Sequence, residues 1–130
     1  MASSEAVTRG IRIRVEVEFS PGHSQPEQGE WFFVYTVRIT NEGSDTVQLL
    51  TRHWVITDAT GHVEEVRGPG VVGKQPVLRA GQSFEYSSGC PLPTPFGSMH
   101  GTYQMVTEAG GGFDAEVAAF TMRGPGHLLN

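Results

Sequence analysis

Residues 67–76 read RGPGVVGKQP, and the fold of the chain depends on how this stretch is interpreted. Its glycines, Gly68, Gly70 and Gly73, match the spacing G-x-G-x-x-G that holds a dinucleotide pyrophosphate in α/β proteins. Such a site needs a helix directly after the glycines, because unpaired N–H groups at the helix N-terminus bind the anion. Pro76 disfavours a helical conformation at the preceding residue. The stretch therefore predicts a connection in a β structure and not a cofactor crevice.

A weaker form of the anion hypothesis needs no helix. Glycine-rich backbone can form a nest of N–H groups around an anion, and Lys74 would add positive charge to it. In the structural alternative the stretch crosses between two sheets, with glycines at unusual φ angles and with Pro69 and Pro76 restricting the backbone. We favour the structural interpretation, since glycine-rich turns are common and the motif is weak when it stands alone.

The flanking sequence predicts strands throughout. Ile11–Phe19 (IRIRVEVEF) alternates apolar and charged side chains, which is typical of a strand with one face in water. No stretch of a dozen residues has a helical period. Further strands are predicted at 31–40, 47–57, 62–66, 82–88, 99–107 and 113–122, with 62–66 pairing back as a hairpin. Seven or more short strands without helices predict an all-β fold, a two-sheet antiparallel β-sandwich.

Length and composition indicate one domain. A chain of 130 residues can bury a core without metals or disulfides, and its one cysteine has no partner within the chain. The sandwich is predicted at residues 11–123, with flexible tails at 1–10 and 124–130. No apolar run reaches the ~20 residues that span a bilayer, and the first ten residues lack the apolar centre of a secretion signal. We expect a cytoplasmic protein.

The charge distribution argues against nucleic acids and membranes as partners. The net charge is −5, and the nine basic residues, of which one is a lysine, are scattered. Proteins that bind nucleic acid usually have a clustered basic surface. We therefore expect neither of these partners, and no cofactor.

Four strings in this order resemble the ApaG family. They are residues 52–78 (RHWVITDATGHVEEVRGPGVVGKQPVL), 80–92 (AGQSFEYSSGCPL), 97–106 (GSMHGTYQMV) and 113–122 (FDAEVAAFTM). The resemblance covers about residues 15–122 and includes the glycine motif. Ala80 is one departure, since proline is frequent there in the family. The resemblance implies a fibronectin type III-like, hence immunoglobulin-like, sandwich, in agreement with the strand count.

The resemblance also bears on function. It implies bacterial cytoplasmic proteins encoded near a dinucleoside tetraphosphatase, with a genetic link to cobalt resistance and magnesium efflux. A similar domain is fused into eukaryotic F-box and polymerase-interacting proteins, which implies a role in protein interaction. No catalytic residues are established for the family, so the resemblance assigns none to this chain.

The histidines do not have the spacing of metal ligands. None forms H-x-H or H-x-x-x-H, and no second cysteine is available for a soft site. We expect each to be structural or on the surface: His23, His53, His62, His100 and His127. A cross-strand pair of His53 and His100 stays open as an alternative.

Candidate nucleophiles and acid–base pairs are also unconvincing. Cys90 has no flanking basic residue that would lower the pKa of its thiol. Adjacent Glu64 and Glu65 point to opposite faces of a strand, whereas Asp114 and Glu116 alternate as on a solvated face. No catalytic residue and no metal site are predicted.

The sequence therefore favours a non-catalytic β-sandwich that binds a partner, most simply a protein. Contacts are expected on the loop at 67–75, with Lys74, Trp54 and Arg52 nearby. Arg52 and Trp54 share one strand face, so that the guanidinium can stack over the indole. The alternative is a protein that binds pyrophosphate or a nucleotide at 68–74, and an enzyme acting on such a compound comes third.

Overall fold

The structure, a computed structural model, describes residues 2–125. These contain nine strands and two short 3₁₀ helices. The strands are β1 Ala2–Thr8, β2 Ile11–Phe19, β3 Trp31–Asn41, β4 Val47–Asp58, β5 Val63–Pro69, β6 Val77–Leu78, β7 Ser83–Leu92, β8 Phe96–Thr107 and β9 Gly112–Arg123; the 3₁₀ helices are Pro21–His23 and Pro26–Gln28. Within this part of the chain, no helix has the length and apolar character needed to cross a membrane.

The strands form two antiparallel sheets packed face to face. The first sheet has the order β1-β2-β3-β7, and the second has the order β5-β4-β8-β9, with β6 added beside β5 on the same edge of β4. The predicted all-β antiparallel sandwich is confirmed.

Side-chain alternation along β2 shows how the core is built. Ile11, Ile13 and Val15 face inward and are at most 1% exposed. On the opposite face, Arg12 makes ion pairs with Glu5 at 2.6 Å and Glu42 at 2.8 Å. Burying each of these aliphatic side chains stabilises the fold by about 1.5–3 kcal/mol, so the alternation fixes which face joins the second sheet.

The N-terminal segment is a strand, and the prediction of a flexible tail at residues 1–10 is wrong. β1 pairs with β2 over its whole length. Its polar side chains also hold it against β9: the Ser4 hydroxyl donates to the Ala118 carbonyl (2.8 Å), and Thr8 Oγ1 accepts from the Glu116 N–H (3.0 Å). The segment was missed because these polar bonds, and not large apolar residues, fix it.

The structure describes only the first two residues, 124 and 125, of the predicted C-terminal tail. Beyond β9, the Gly124 N–H donates to the Pro95 carbonyl at 2.8 Å, which ties this residue to the domain. The rest of the predicted tail, residues 126–130 with His127, lies outside the described residues. The tail at 124–130 stays a prediction.

Candidate functional site: the glycine hairpin and the arginine cleft

The G-x-G-x-x-G stretch forms the tip of a hairpin between β5 and β6, here called the glycine hairpin (residues 67–77). Val71 and Lys74 exchange both backbone hydrogen bonds, at 2.8 and 2.9 Å. The two residues between them, Val72 and Gly73, have φ of +43° and +78°. Positive φ at both central residues defines the type I′ turn, which matches the twist of two antiparallel strands.

This arrangement corrects one prediction and keeps another. No helix follows the glycines, as the position of Pro76 predicts. The stretch does not cross between the sheets, however, because β5 and β6 both pair with β4. The crossing occurs only after β6, on the way to β7. The predicted crossing is therefore wrong, since a two-residue turn reverses the chain within one sheet.

A bulge in β4 anchors the hairpin. The pairing register of β4 with β8 shifts between Leu49 and Thr51. The carbonyl of the intervening Leu50 accepts from the Gly70 N–H (2.8 Å) and from Gln75 Nε2 (2.9 Å). The extra residue thus turns a backbone acceptor towards the hairpin and fixes its position.

Each glycine of the motif has its own structural reason. A Cβ on Gly68 would lie 3.0 Å from both terminal guanidinium nitrogens of Arg52. A Cβ on Gly70 would collide with the carbonyl oxygen of Lys74. Gly73 is needed for its left-handed φ in the turn. The spacing therefore follows from the hairpin and needs no ligand to explain it.

The hairpin also uses the donors that an anion nest would need. The N–H groups of Gly70, Val71 and Lys74 donate to the carbonyls of Leu50, Lys74 and Val71. A nest works through N–H groups that are free to converge on one anion. These bonds weaken the case for an anion held by the loop backbone.

Arg52 lies beneath the hairpin and holds its backbone. Its Nη1 donates to the carbonyls of Pro69 (3.0 Å) and Gly70 (2.8 Å), and the guanidinium lies against Gly68. The predicted stacking over Trp54 is not formed; among residues 2–125, the recorded cation–π contact joins Arg9 and Phe113.

Trp54 belongs to the core. Its indole is 3% exposed and makes edge contacts with Tyr35 and Tyr103, at centroid distances of 5.6 and 5.9 Å. Its assignment as a contact residue for a partner is wrong, because the inward face of β4 packs against the first sheet. Lys74, by contrast, is exposed, and its role in binding stays a prediction.

Beneath the hairpin, the two sheets leave a cleft of ≈ 370 Å³, here called the arginine cleft. Tyr35, Tyr86 and Ser88 come from the first sheet, and Arg52 comes from β4 of the second. The rest of the lining consists of Trp54, Pro69, Val71, Val72 and Gly73. The cleft therefore has a cation and hydroxyl groups on an aromatic and aliphatic wall.

The electrostatics of the cleft centre on Arg52. None of the ion pairs recorded within residues 2–125 includes Arg52, although it is half-buried. Burial raises the pKa of the Tyr35 and Tyr86 hydroxyls, and the charge of Arg52 opposes the rise in both. The Tyr86 hydroxyl also shares a 2.5 Å hydrogen bond with Tyr103. These phenols stay protonated at neutral pH and can donate hydrogen bonds.

Sequence reasoning did not find the tyrosines and the serine of this cleft. Tyr35 and the segment with Tyr86 and Ser88 lie on strands that the sequence predicted, and β3 pairs with β7. Their position opposite Arg52 depends on how the two sheets stack. The available signal was an arginine two residues before Trp54, on the inward face of β4. The bulge at Leu50 puts both residues in phase with the buried Val47 and Leu49.

The other candidate groups lie apart from the cleft. His53 Nε2 and Glu65 Oε1 are 2.7 Å apart on the outer face, and His53 pairs with Thr102 in the register while His100 pairs with Val55. Within residues 2–125, no group of three or more His, Cys, Asp and Glu side chains could hold a metal ion. Cys90 is buried, and burial raises the pKa of its thiol to about 11.

The surface of the hairpin is basic and apolar. Residues 67–77 contain Arg67 and Lys74 and no aspartate or glutamate, in a chain of net charge −5, and Arg67 lies 3.5 Å from Glu65 of β5. Val72, at the tip, is 53% exposed. Locally, therefore, the hairpin has the charge opposite to that of the chain as a whole.

Comparisons with known proteins agree on one family. The family model described as DUF525, ApaG domain, matches residues 21–107. Protein ApaG of Rhodospirillum centenum is 57% identical over 119 residues, and Protein ApaG of Rhodopseudomonas palustris (strain TIE-1) is 56% identical over 120; each match covers 92% of both chains. The crystal structure of a protein named ApaA from Bordetella pertussis superimposes with a TM-score of 0.86 at 50% identity, covering 89% of this chain and 94% of that one.

Proposed function

The chain belongs to the ApaG domain family, and we propose that it is a binding module that presents the tip of the glycine hairpin to a partner protein. Val72 is the anchor that enters the partner, and Lys74 is the charged contact beside it. The proposal depends on one observation, the backbone conformation of Val72, whose φ is positive.

Val72 occupies a conformation that its side chain disfavours. Its φ of +43° is in the left-handed region, where a β-branched residue is an outlier. Such strain costs about 1–3 kcal/mol, and residues that carry it cluster at functional sites. The side chain is also 53% exposed, so packing within the chain does little to offset the strain. A partner that buries Val72 supplies the missing stabilisation.

The positive charge of the hairpin indicates the chemistry of the partner surface. Lys74 follows the turn directly, and the stretch 66–81 has no carboxylate of its own. A complementary surface has an apolar pocket for Val72, with aspartate or glutamate side chains at its rim. The family resemblance adds the expectation that this partner is a cytoplasmic protein of divalent-cation homeostasis.

The burial of Cys90, the candidate nucleophile, favours a binding role over catalysis. Cys90 is buried, and the pKa of its thiol is raised to about 11, whereas reactive thiols have lowered pKa values and some access to substrate. Glu85 and Glu65 lie on exposed strand faces and pair with Arg38 at 3.5 Å and His53 at 2.7 Å.

The test uses a photo-crosslinking amino acid in place of Val72, with the same replacement at Val7 as the matched control. Val7 is also an exposed valine (49%), but it lies on β1, at the edge of its sheet opposite β7. In extract of the source cells, we expect one discrete adduct from position 72 and none from position 7. Excess unlabelled protein should compete the adduct away.

The captured protein is then purified and its affinity measured. Lys74→Glu should weaken binding about tenfold, most strongly at low salt, because rim charges act through long-range attraction. Identical adducts from positions 72 and 7, or an affinity unchanged by Lys74→Glu, would contradict the proposal.

A further inference from the structure

We propose that the arginine cleft binds a small organic carboxylate with a flat apolar body. This site shares Val72 and Gly73 with the hairpin tip, but its occupant is a small molecule bound by Arg52 and not a partner protein, so the inference goes beyond the proposed function. It depends on the guanidinium of Arg52, the hydroxyls of Tyr35 and Ser88, and the apolar wall between them.

Arg52 is held ready for an anion. An arginine side chain has five N–H donors, two of them on Nη1. In Arg52, Nη1 donates to the carbonyls of Pro69 and Gly70. These bonds fix the plane of the guanidinium and leave the Nε and Nη2 donors for a ligand. No carboxylate of residues 2–125 forms a recorded ion pair with it. A half-buried cation without a counter-charge favours the binding of an anion.

The hydroxyl groups are placed to complete the recognition. Tyr35 and Ser88 face Arg52 across the cleft from neighbouring strands of the first sheet. Burial raises the pKa of the Tyr35 hydroxyl, so at neutral pH it can donate to a carboxylate. Tyr86 differs, since its hydroxyl already bonds to Tyr103 of the second sheet, whereas Tyr35 hydrogen-bonds with Ser88, so that these two hydroxyls form a pair beside Arg52. Tyr35 and Ser88 are therefore the specificity-determining donors.

The size and the wall of the cleft indicate the body of the ligand. A volume of ≈ 370 Å³ falls within the ≈ 300–1,000 Å³ typical of small-molecule sites. Tyr35, Trp54 and Val71 give the cleft aromatic and aliphatic surface. These three side chains are at most 6% exposed, so the apolar surface that is open to water is mainly Val72 (53% exposed), which a ring attached to the carboxylate would cover.

The experiment is a titration of the isotopically labelled protein, followed by backbone amide NMR. Benzoate is the probe, and benzamide is its neutral control of the same shape. Benzoate should shift the Val72, Gly73 and Ser88 amides in a saturable way, with affinity at least about tenfold above that of benzamide. Equal shifts from both compounds, or none from benzoate at millimolar concentration, would overturn the proposal. Inorganic phosphate that binds as tightly as benzoate would overturn the assignment to an organic ligand.

Variants locate the site. Arg52→Gln should reduce benzoate affinity about tenfold or more, whereas Arg67→Gln removes the same charge from the exposed edge strand and should leave it unchanged. Since Arg52 also holds the hairpin backbone, Tyr35→Phe is the second test, because it keeps the ring and the hairpin bonds. It should weaken benzoate binding several-fold. An unchanged affinity in Tyr35→Phe, or an equal loss in Arg67→Gln, would refute the assignment.

Discussion

Two hairpins of this sandwich have the same turn and different surroundings. The β1–β2 hairpin turns at Arg9 and Gly10, with φ of +49° and +81°, and the glycine hairpin turns at Val72 and Gly73, with +43° and +78°. Both are therefore two-residue turns of type I′, with a non-glycine residue first and a glycine second.

The first turn is part of the packed structure. The Arg9 guanidinium lies over the ring of Phe113, 4.8 Å from its centroid. A Cβ on Gly10 would lie 2.9 Å from the backbone of Gly43. Here the unusual backbone is supported by contacts on both residues, so the fold itself explains the turn.

The second turn has no comparable support. Val72 is 53% exposed, and nothing lies within 4 Å of a Cβ built on Gly73. Valine tolerates positive φ worse than an unbranched residue. The first turn therefore serves the fold, whereas packing within the chain does not explain the second, and the proposed contact with a partner protein would.

The largest expected effect is the loss of stability when the glycine of each turn, Gly10 or Gly73, is replaced by alanine. Gly10→Ala should destabilise the protein by about 3 kcal/mol, because overlap with Gly43 adds to the strain of the left-handed φ. Gly73→Ala should lose only about 1 kcal/mol, the cost of the backbone conformation alone. Urea unfolding of both variants measures the difference. Equal losses would show that the second turn is packed as tightly as the first.

Asparagine at the first position of the turn should stabilise the glycine hairpin but not the β1–β2 hairpin. Val72→Asn creates the Asn-Gly pair that type I′ turns favour, and should raise the free energy of unfolding by about 1 kcal/mol. Arg9→Asn creates the same pair but removes the contact with Phe113, worth about 0.5–1 kcal/mol, so it should bring no net gain. Thermal unfolding monitored by circular dichroism compares the two. A Val72→Asn variant without any gain would contradict the strain on which the proposed function depends.

The smallest effect concerns the acidic side chains near each hairpin. A bidentate hydrogen bond with Arg12 lowers the pKa of Glu42, and a hydrogen bond with His53 lowers the pKa of Glu65. A carboxyl group with a lowered pKa in the folded state stabilises the protein above its ordinary pKa of about 4.3. This stabilisation is lost as the pH falls through the lowered value.

The measurement is the urea midpoint between about pH 5 and pH 3, a range around the ordinary glutamate pKa. Glu42→Gln and Glu65→Gln should each flatten its dependence on pH, with Glu42→Gln flattening it more because two bonds are lost. Unchanged slopes in both variants would mean that neither pair persists in solution.

Much of the architecture could be predicted from the sequence. Alternation in Ile11–Phe19 defines a strand and its buried face, and Pro76 excludes the helix that a dinucleotide site would need. Both depend on forces between near neighbours in the chain: the two-residue period of a strand and the steric restriction before proline. These features determined the all-β class.

Other features depended on residues far apart in sequence. β1 was missed because its polar bonds reach Ala118 and Glu116, and the predicted crossing at the glycines was wrong because a bulge at Leu50 anchors the hairpin to β4. Arg52 meets Tyr35 and the segment of Ser88 only when the sheets stack. The sequence by itself thus determined the all-β class, seven of the nine strands and the family. Tertiary packing alone decided the edge partners, the burial of Trp54 and the cleft, since each depends on contacts between segments whose distance in space no local pattern encodes.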